Sequence, residues 1–283
     1  NIGLYSIACF MFLLCGFMVM YQGESYKCGI IPPYDFGFGS KGQEDFGMNT
    51  DLGYADAADF FFQVVFVATA VSIVSGAVAE RMNQWAFFAL AAFISGVIYP
   101  IQGFWNWGEG FLNAAGYIDF AGSGTVHLAG AACALAAAIF IGPRVGKYSN
   151  GKVNKLYGAN IPIAALGTFI LWLGWFGFNG GSQLAVNDAS NANAVAQVFL
   201  NTNMAAGGGV IACLLVSRIF FGKTNIIYAL NGAISGLVAI TAAPDTPTGY
   251  EATIIGAIGG LLCYGSLVFF EQVLKIDDPV GAI

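Results

Sequence analysis

The sequence predicts an all-α polytopic membrane protein, and three observations carry that reading. Of the 283 residues, 57% are apolar and only 9% are charged, against about 25% charged in an ordinary soluble domain. Apolar runs long enough to cross a hydrocarbon core, about 20 residues each, recur along the whole chain. When the connections between those runs are assigned alternately to two sides, the basic residues gather on one of them, as a repeatedly crossing chain requires.

Eight runs meet the length condition: 2–21, 60–79, 85–103, 121–142, 161–179, 194–221, 226–242 and 252–274. The first is apolar from its first turn and has neither a basic start nor a small-residue cleavage site, so it reads as a span and not a signal peptide. Asn1 is not an initiator Met, which points to a processed or incomplete chain. The only long connection, 22–59, mixes Gly, Pro, aromatic and acidic residues without helical period and predicts an ordered extracytoplasmic loop. The 39 glycines lie inside runs rich in Phe, Ile, Val and Ala, the pattern of helices packed closely in lipid.

Arg81, Arg144, Lys147, Lys152, Lys155, Arg218, Lys223 and Lys275 fall on one side, and only Lys27 and Lys41 on the other. Eight against two makes the first side cytoplasmic. Most carboxylates, among them Asp35, Asp56, Asp59, Glu109, Asp119 and Asp188, fall on the opposite side, where an acidic mouth would concentrate cations. A net charge of −6 with ten Lys and Arg excludes a nucleic-acid partner, which needs a basic surface. Five of the six cysteines lie in apolar runs and Cys28 sits alone in a polar loop, so no disulfide framework is expected.

Residues 72–79, SIVSGAVA, resemble 232–239, GAISGLVA, with Ser75-Gly76 and Ser235-Gly236 in register. By the charge count the two helices cross in opposite directions. A segment repeated with reversed polarity is the mark of an inverted repeat, whose site lies at the repeat interface; the plainer alternative is a chance likeness of small-residue packing motifs.

His127 is the only histidine and lies within an apolar run, where a polar residue is costly and points to function. Gly122, Ser123, Gly124 and Gly130 leave room beside it. One histidine without nearby Cys or carboxylate ligands cannot assemble a transition-metal site, so no metal or other cofactor is expected. Ser123 and His127 share a helix face, but no GxSG or GxSxG turn and no third triad member accompanies them, which argues against an intramembrane protease. Aromatic residues adjoin polar ones at three helix ends: Phe62-Gln63 with Phe66, Trp105-Asn106-Trp107, and Trp175-Phe176-Gly177-Phe178-Asn179 before Ser182. Each tryptophan can serve as an interfacial anchor. The three together can also form a cation site in which ring faces and a hydroxyl replace water.

At these residues the chain resembles the ammonium transporter family, the Amt branch of the Amt/Rh superfamily. The motifs are FFFQVVFVATAVSIVSGAVAERM from Phe60, DFAGSGTVH from Asp119, LGTFILWLGWFGFNGGS from Leu166, NTNMAAGGG from Asn201, ALNGAISGLVAITA from Ala229 and DDPVGAI from Asp277. The resemblance implies one domain over 1–283, incomplete at both ends, covering eight of eleven helices of a five-plus-five inverted repeat. The family's first helix and last two helices, with the second pore histidine, are expected to lie outside this sequence. By position, Phe66 and Phe178 correspond to the stacked phenyl gate. Trp107, Phe62 or Phe66, and Ser182 correspond to the outer recruitment site. Asp119 corresponds to its supporting acid, with Asn179 as a further supporting residue, and His127 to the first pore histidine.

The resemblance further implies a homotrimer in the plasma (cell inner) membrane, with one pore per subunit, in contact with the lipid bilayer and with a cytoplasmic regulatory protein. The expected function is transport of ammonium and ammonia rather than catalysis: the cation is recruited, loses its proton and crosses a dry pore as ammonia. Such a pore offers hydrated potassium or sodium no substitute for their water shells. An ammonium-sensing domain of a signalling protein is the alternative from another class. A gas channel of the Rh type fits less well, because Trp107 and Ser182 match the recruitment site that branch generally lacks.

Overall fold

The computed structural model of the chain describes residues 1–21, 26–34, 36, 48–49, 53–156 and 158–283. Half of the expected 22–59 loop, including Asp35 and Lys41, lies outside the described residues. Seven helical stretches among the described residues are long and apolar enough to cross a bilayer. The eighth expected span is a shorter helix, and the chain divides into two compact units.

The first unit comprises Asn1–Asp119, Gly124–Ile141 and Ala282–Ile283. Helix α1 (Ile2–Met11) passes through a π turn, Phe12–Gly16, into α2 (Phe17–Met20). A two-residue antiparallel ladder, β1 (Met48–Asn49) with β2 (Tyr54–Ala55), leads into α3 (Asp56–Ala77). Asp56 and Asp59 stand in the first turn of α3, where negative charge complements the helix dipole. The helix therefore claims 56–59, the last four residues of the expected loop.

Helix α4 (Gln84–Phe93) is capped by Asn83, whose side chain accepts from the Trp85 and Ala86 amides. It continues through a second π turn, Ile94–Ile98, into α5 (Tyr99–Asn106). The two π turns meet: the Tyr34 hydroxyl donates to the Gly96 carbonyl at 3.2 Å and the Cys15 thiol contacts it at 3.6 Å. At Gly108 the chain passes the Met20 carbonyl so closely that a β-carbon would lie 1.9 Å from that oxygen. Helix α6 (Phe111–Ala114) follows, and a third π turn, Ser123–Leu128, opens α7 (Ala129–Ile141). Gly130 lets α7 rest on α3, since a β-carbon there would meet the Ala70 carbonyl at 2.9 Å. Leu4, Val71, Val74, Ala91, Ile94 and Ala134 form the core below.

The second unit comprises Phe120–Ser123 and Gly142–Gly281. A hairpin, β3 (Tyr148–Ser149) with β4 (Lys152–Val153), precedes α8 (Ile161–Gly181), α9 (Ala189–Phe221), α10 (Ile226–Ile240) and α11 (Gly249–Val268). Asp188 caps α9 by accepting from the Asn191 amide at 2.8 Å, so the helix starts ahead of its apolar run. Gly222, with φ of 69°, ends it. Thr248 and Glu251 form a reciprocal capping box on α11. At 15 residues α10 is about 22 Å long, short of the hydrocarbon thickness.

Glycine brings α9, α10 and α11 backbone to backbone. A β-carbon at Gly236 or Gly256 would lie 2.3 or 1.9 Å from the Ala205 carbonyl, and one at Gly208 would lie 2.1 Å from that of Thr253. This is small-residue packing of the kind lipid favours. The 120–123 segment docks on the end of α10, where the Phe120 and Ala121 amides donate to the Ala242 and Thr241 carbonyls. At the other end, Arg144 makes a two-pronged pair with Asp277, Nε to Oδ2 at 2.8 Å and an outer nitrogen to Oδ1 at 3.0 Å, and the carboxylate is fully buried. Lys147 pairs with Glu271 at 2.5 Å.

Each unit treats its Ser-Gly pair alike. Ser75 donates to the Ser72 carbonyl and Ser235 to the Gly232 carbonyl, three residues back in both helices.

Candidate functional site

Phe62 and Phe66 are four residues apart on α3, hence on one helix face. Their rings meet edge to face with centroids 4.6 Å apart. Trp107, which ends α5, stands perpendicular to Phe66 at 5.8 Å. Phe66 is 1% exposed, whereas Phe62 and Trp107 are half-buried. The first unit thus brings together three of the four expected recruitment residues, with Phe66 as floor and the other two rings partly open.

The nest is fixed from behind. The Trp107 indole Nε1 donates to the Asp119 carbonyl at 2.8 Å. The Asp119 carboxylate Oδ2 accepts from the Gly124 and Thr125 amides at 2.9 and 2.7 Å. A carboxylate at this position satisfies amides that the start of a helix leaves open. Asp119 is buried at 3% exposure, and these bonds tie the tryptophan to the π turn. Tyr117 also faces this carboxylate. Burial first, and then the Asp119 charge, raise its phenol above the ordinary range. A β-carbon at Gly124 would strike the Tyr117 hydroxyl at 2.1 Å.

His127 belongs to the π turn that Asp119 caps, buried in sequence with Thr125 and Val126. Helical periodicity alone gave no sign of this wider turn, which is often found at functional sites.

The remaining expected residues belong to the second unit, at the end of α8. Trp175 donates from Nε1 to the Thr241 hydroxyl at 2.8 Å, and its ring lies 5.6 Å from that of Phe178. Asn179 is fully buried and donates to the Thr202 hydroxyl at 3.0 Å. Ser182 donates its hydroxyl proton to the Phe178 carbonyl at 2.9 Å, so the lone pairs on that oxygen are what it offers a ligand. Trp105 is engaged elsewhere, its indole donating to the Ile30 carbonyl at 2.7 Å. Ser123 donates to the Val238 carbonyl at 2.5 Å. Among the described residues, no three His, Cys, Asp or Glu groups gather closely enough to hold a metal ion. Sequence reasoning did not single out Tyr117, Thr202 or Thr241; Thr202 and Thr241 lie 23 and 66 residues along the chain from the side chains they bond, so only the fold brings them together.

Seven helices long and apolar enough to cross a bilayer, a glycine-packed helix trio and a buried histidine in a π turn define the class of polytopic helical membrane proteins. The model of the Ammonium Transporter Family matches residues 3–283, and the chain belongs to that family. A Synechocystis protein is 41% identical over 278 residues, covering 96% of this chain and 60% of that one. Ammonium transporter Amt2 of Archaeoglobus fulgidus is 41% identical over 235 residues, covering 79% of this chain and 49% of that one. The chain therefore spans about half to three-fifths of the length of these curated relatives. Among solved structures, a sensor Amt protein matches with a TM-score of 0.90 at 40% identity, covering all of this chain and 68% of that one. Candida albicans Mep2 matches with a TM-score of 0.84 at 26% identity, over 99% of this chain and 60% of that one.

Proposed function

We propose that the protein to which this chain belongs moves ammonium across the plasma membrane. The observation that carries this reading is the nest of Phe62, Phe66 and Trp107, with its tryptophan held by Asp119. Ring faces attract a desolvated cation by about 0.5–2 kcal/mol each, and a buried acid nearby adds favourable potential. On the family resemblance, Ser182 supplies an acceptor for an ammonium N–H, and Phe66 and Phe178 are the rings of the gate. His127 then accompanies ammonia through a pore too dry for potassium, while the proton is relayed separately. Eight basic residues in alternate connections support the orientation with the nest outside. A homotrimer and a cytoplasmic regulatory partner complete the proposal on the same resemblance.

The test is charge movement by the complete protein on a supported membrane after an ammonium pulse. An ammonium-selective current, lost when Trp107 and Ser182 are both replaced by apolar residues, is the expected result. Absence of current in the parent protein, with ammonium binding retained, favours the second reading, an ammonium sensor. One specific observation supports that alternative: the 40% identity to the sensor Amt protein over the whole of this chain.

A further inference from the structure

Next to the aromatic nest, the first unit holds a set of buried oxygen atoms that the scheme above does not use. Gln63 follows Phe62 on α3 and is 6% exposed. Its Nε2 donates to the Tyr21 hydroxyl at 2.7 Å, while its Oε1 is buried without a hydrogen-bond partner among the described residues. Asp59 lies four residues before Gln63 and faces both Gln63 and the Tyr21 hydroxyl. Positions 59, 62, 63 and 66 share one helix face, so the carboxylate stands one turn from Phe62 toward the start of α3. Tyr99, 1% exposed and within electrostatic reach of Tyr21, likewise has a hydroxyl with no partner among the described residues.

A buried polar atom left without a partner costs about 1–3 kcal/mol, and here the unmet atoms are acceptors or can act as acceptors. With the Asp59 carboxylate against the same glutamine side chain, the unmet Oε1 calls for a ligand that brings hydrogen-bond donors and positive charge. Water brings two donors and no charge. An ammonium or small alkylammonium ion brings up to four donors and the matching sign.

We infer that Asp59, Gln63 and Tyr21 form a second cation-holding site, one helical turn from the aromatic nest, which takes ammonium or a small alkylammonium ion before it reaches Phe62 and Trp107. The choice of ion rests on the transport reading; the site itself does not. Gln63 Oε1 and Asp59 accept from the ion, and the Tyr21 hydroxyl, held by the Gln63 amide, keeps the carboxylate in place.

The experiment uses the complete protein and two readouts. In crystals soaked with thallium(I), an anomalous peak is expected beside Asp59 and Gln63 Oε1. Asp59→Asn and Gln63→Leu should abolish this peak, Asp59→Glu should restore it, and Trp107→Leu should leave it in place. In uptake measurements, Asp59→Asn should raise the half-saturation concentration for ammonium by about tenfold, the loss of one charge-assisted contact, with a smaller effect on the maximal rate. A thallium map showing only water beside Gln63 would overturn the inference, as would a half-saturation concentration unchanged in Asp59→Asn. A parent protein that binds thallium(I) at this site but carries no ammonium would defeat the transport reading and leave the site standing.

Discussion

The indole Nε1 of Trp107 donates to the backbone carbonyl of Asp119 across 2.8 Å. One residue thereby serves as both a ring wall and a strut, because the edge of the indole that bonds the carbonyl fixes the direction in which its face looks. The carboxylate of the same aspartate turns the other way, onto the amides of the turn that carries His127.

Replacing Trp107 with phenylalanine should therefore separate the two roles. The ring remains but the donor goes, and thermal stability should fall by about 1 kcal/mol, the worth of one hydrogen bond. Trp107→Leu removes both and should further weaken methylammonium uptake at low concentration by about 2- to 30-fold, the range of a cation–π contact. Equal uptake by parent and leucine variant would leave Trp107 as an interfacial anchor.

Asp119→Asn keeps an acceptor for the Gly124 and Thr125 amides but removes the charge. Asp119→Ala removes both, and the loss of a helix-start cap costs about 0.5–2 kcal/mol. The expected order of melting temperature is parent, then Asn, then Ala, whereas ammonium currents should fall in both variants. A current that followed stability alone would make Asp119 purely structural.

His127→Leu keeps the path dry and removes the imidazole, so the current evoked by an ammonium pulse should vanish. His127→Asp places a carboxylate there and should admit hydrated cations. An undiminished ammonium-selective current in the leucine variant would make His127 a packing residue.

Gly256→Ala drives a methyl group toward the Ala205 carbonyl, where an ideal β-carbon would lie 1.9 Å away. Overpacking of this kind costs about 1–3 kcal/mol, and detergent-solubilised protein should lose its folded fraction on mild heating. Gly174→Ala, where nothing beyond its own stretch of helix lies within 4 Å of the new carbon among the described residues, is the matched control and should melt with the parent.

Arg144→Ala leaves the fully buried Asp277 carboxylate without its cation. Removing one partner of a buried pair costs about 3–5 kcal/mol. Replacing both residues by apolar ones should recover much of that loss in the same melting experiment.

Much of the helical framework was legible because lipid imposes a length rule. The eight apolar runs all lie on helices, with ends displaced wherever a polar contact outweighs hydropathy. Asp188 draws α9 back to Ala189 by capping it, and Asp56 and Asp59 extend α3 into what composition assigns to a loop. The third run, expected to stop at 103, continues helically to Asn106 because Trp107 is held there. The π turns were not legible, since a single wider turn leaves no mark on an apolar sequence. At the site, Phe62, Phe66 and Trp107 could be named from motifs, but their edge-to-face contact depends on α3 and α5 meeting in space. Gln63 stood beside a named residue, yet its significance lies in an oxygen that only packing could leave without a partner.

The glycine contacts between α9, α10 and α11 have a thermal consequence. Where side chains interdigitate, each loses rotamer freedom on association, up to about 2 kcal/mol for the longest. Glycine has none to lose. At Gly208, Gly236 and Gly256, the meeting of these helices carries no such entropy term, and its free energy should change less with temperature than that of a leucine-lined contact of equal area.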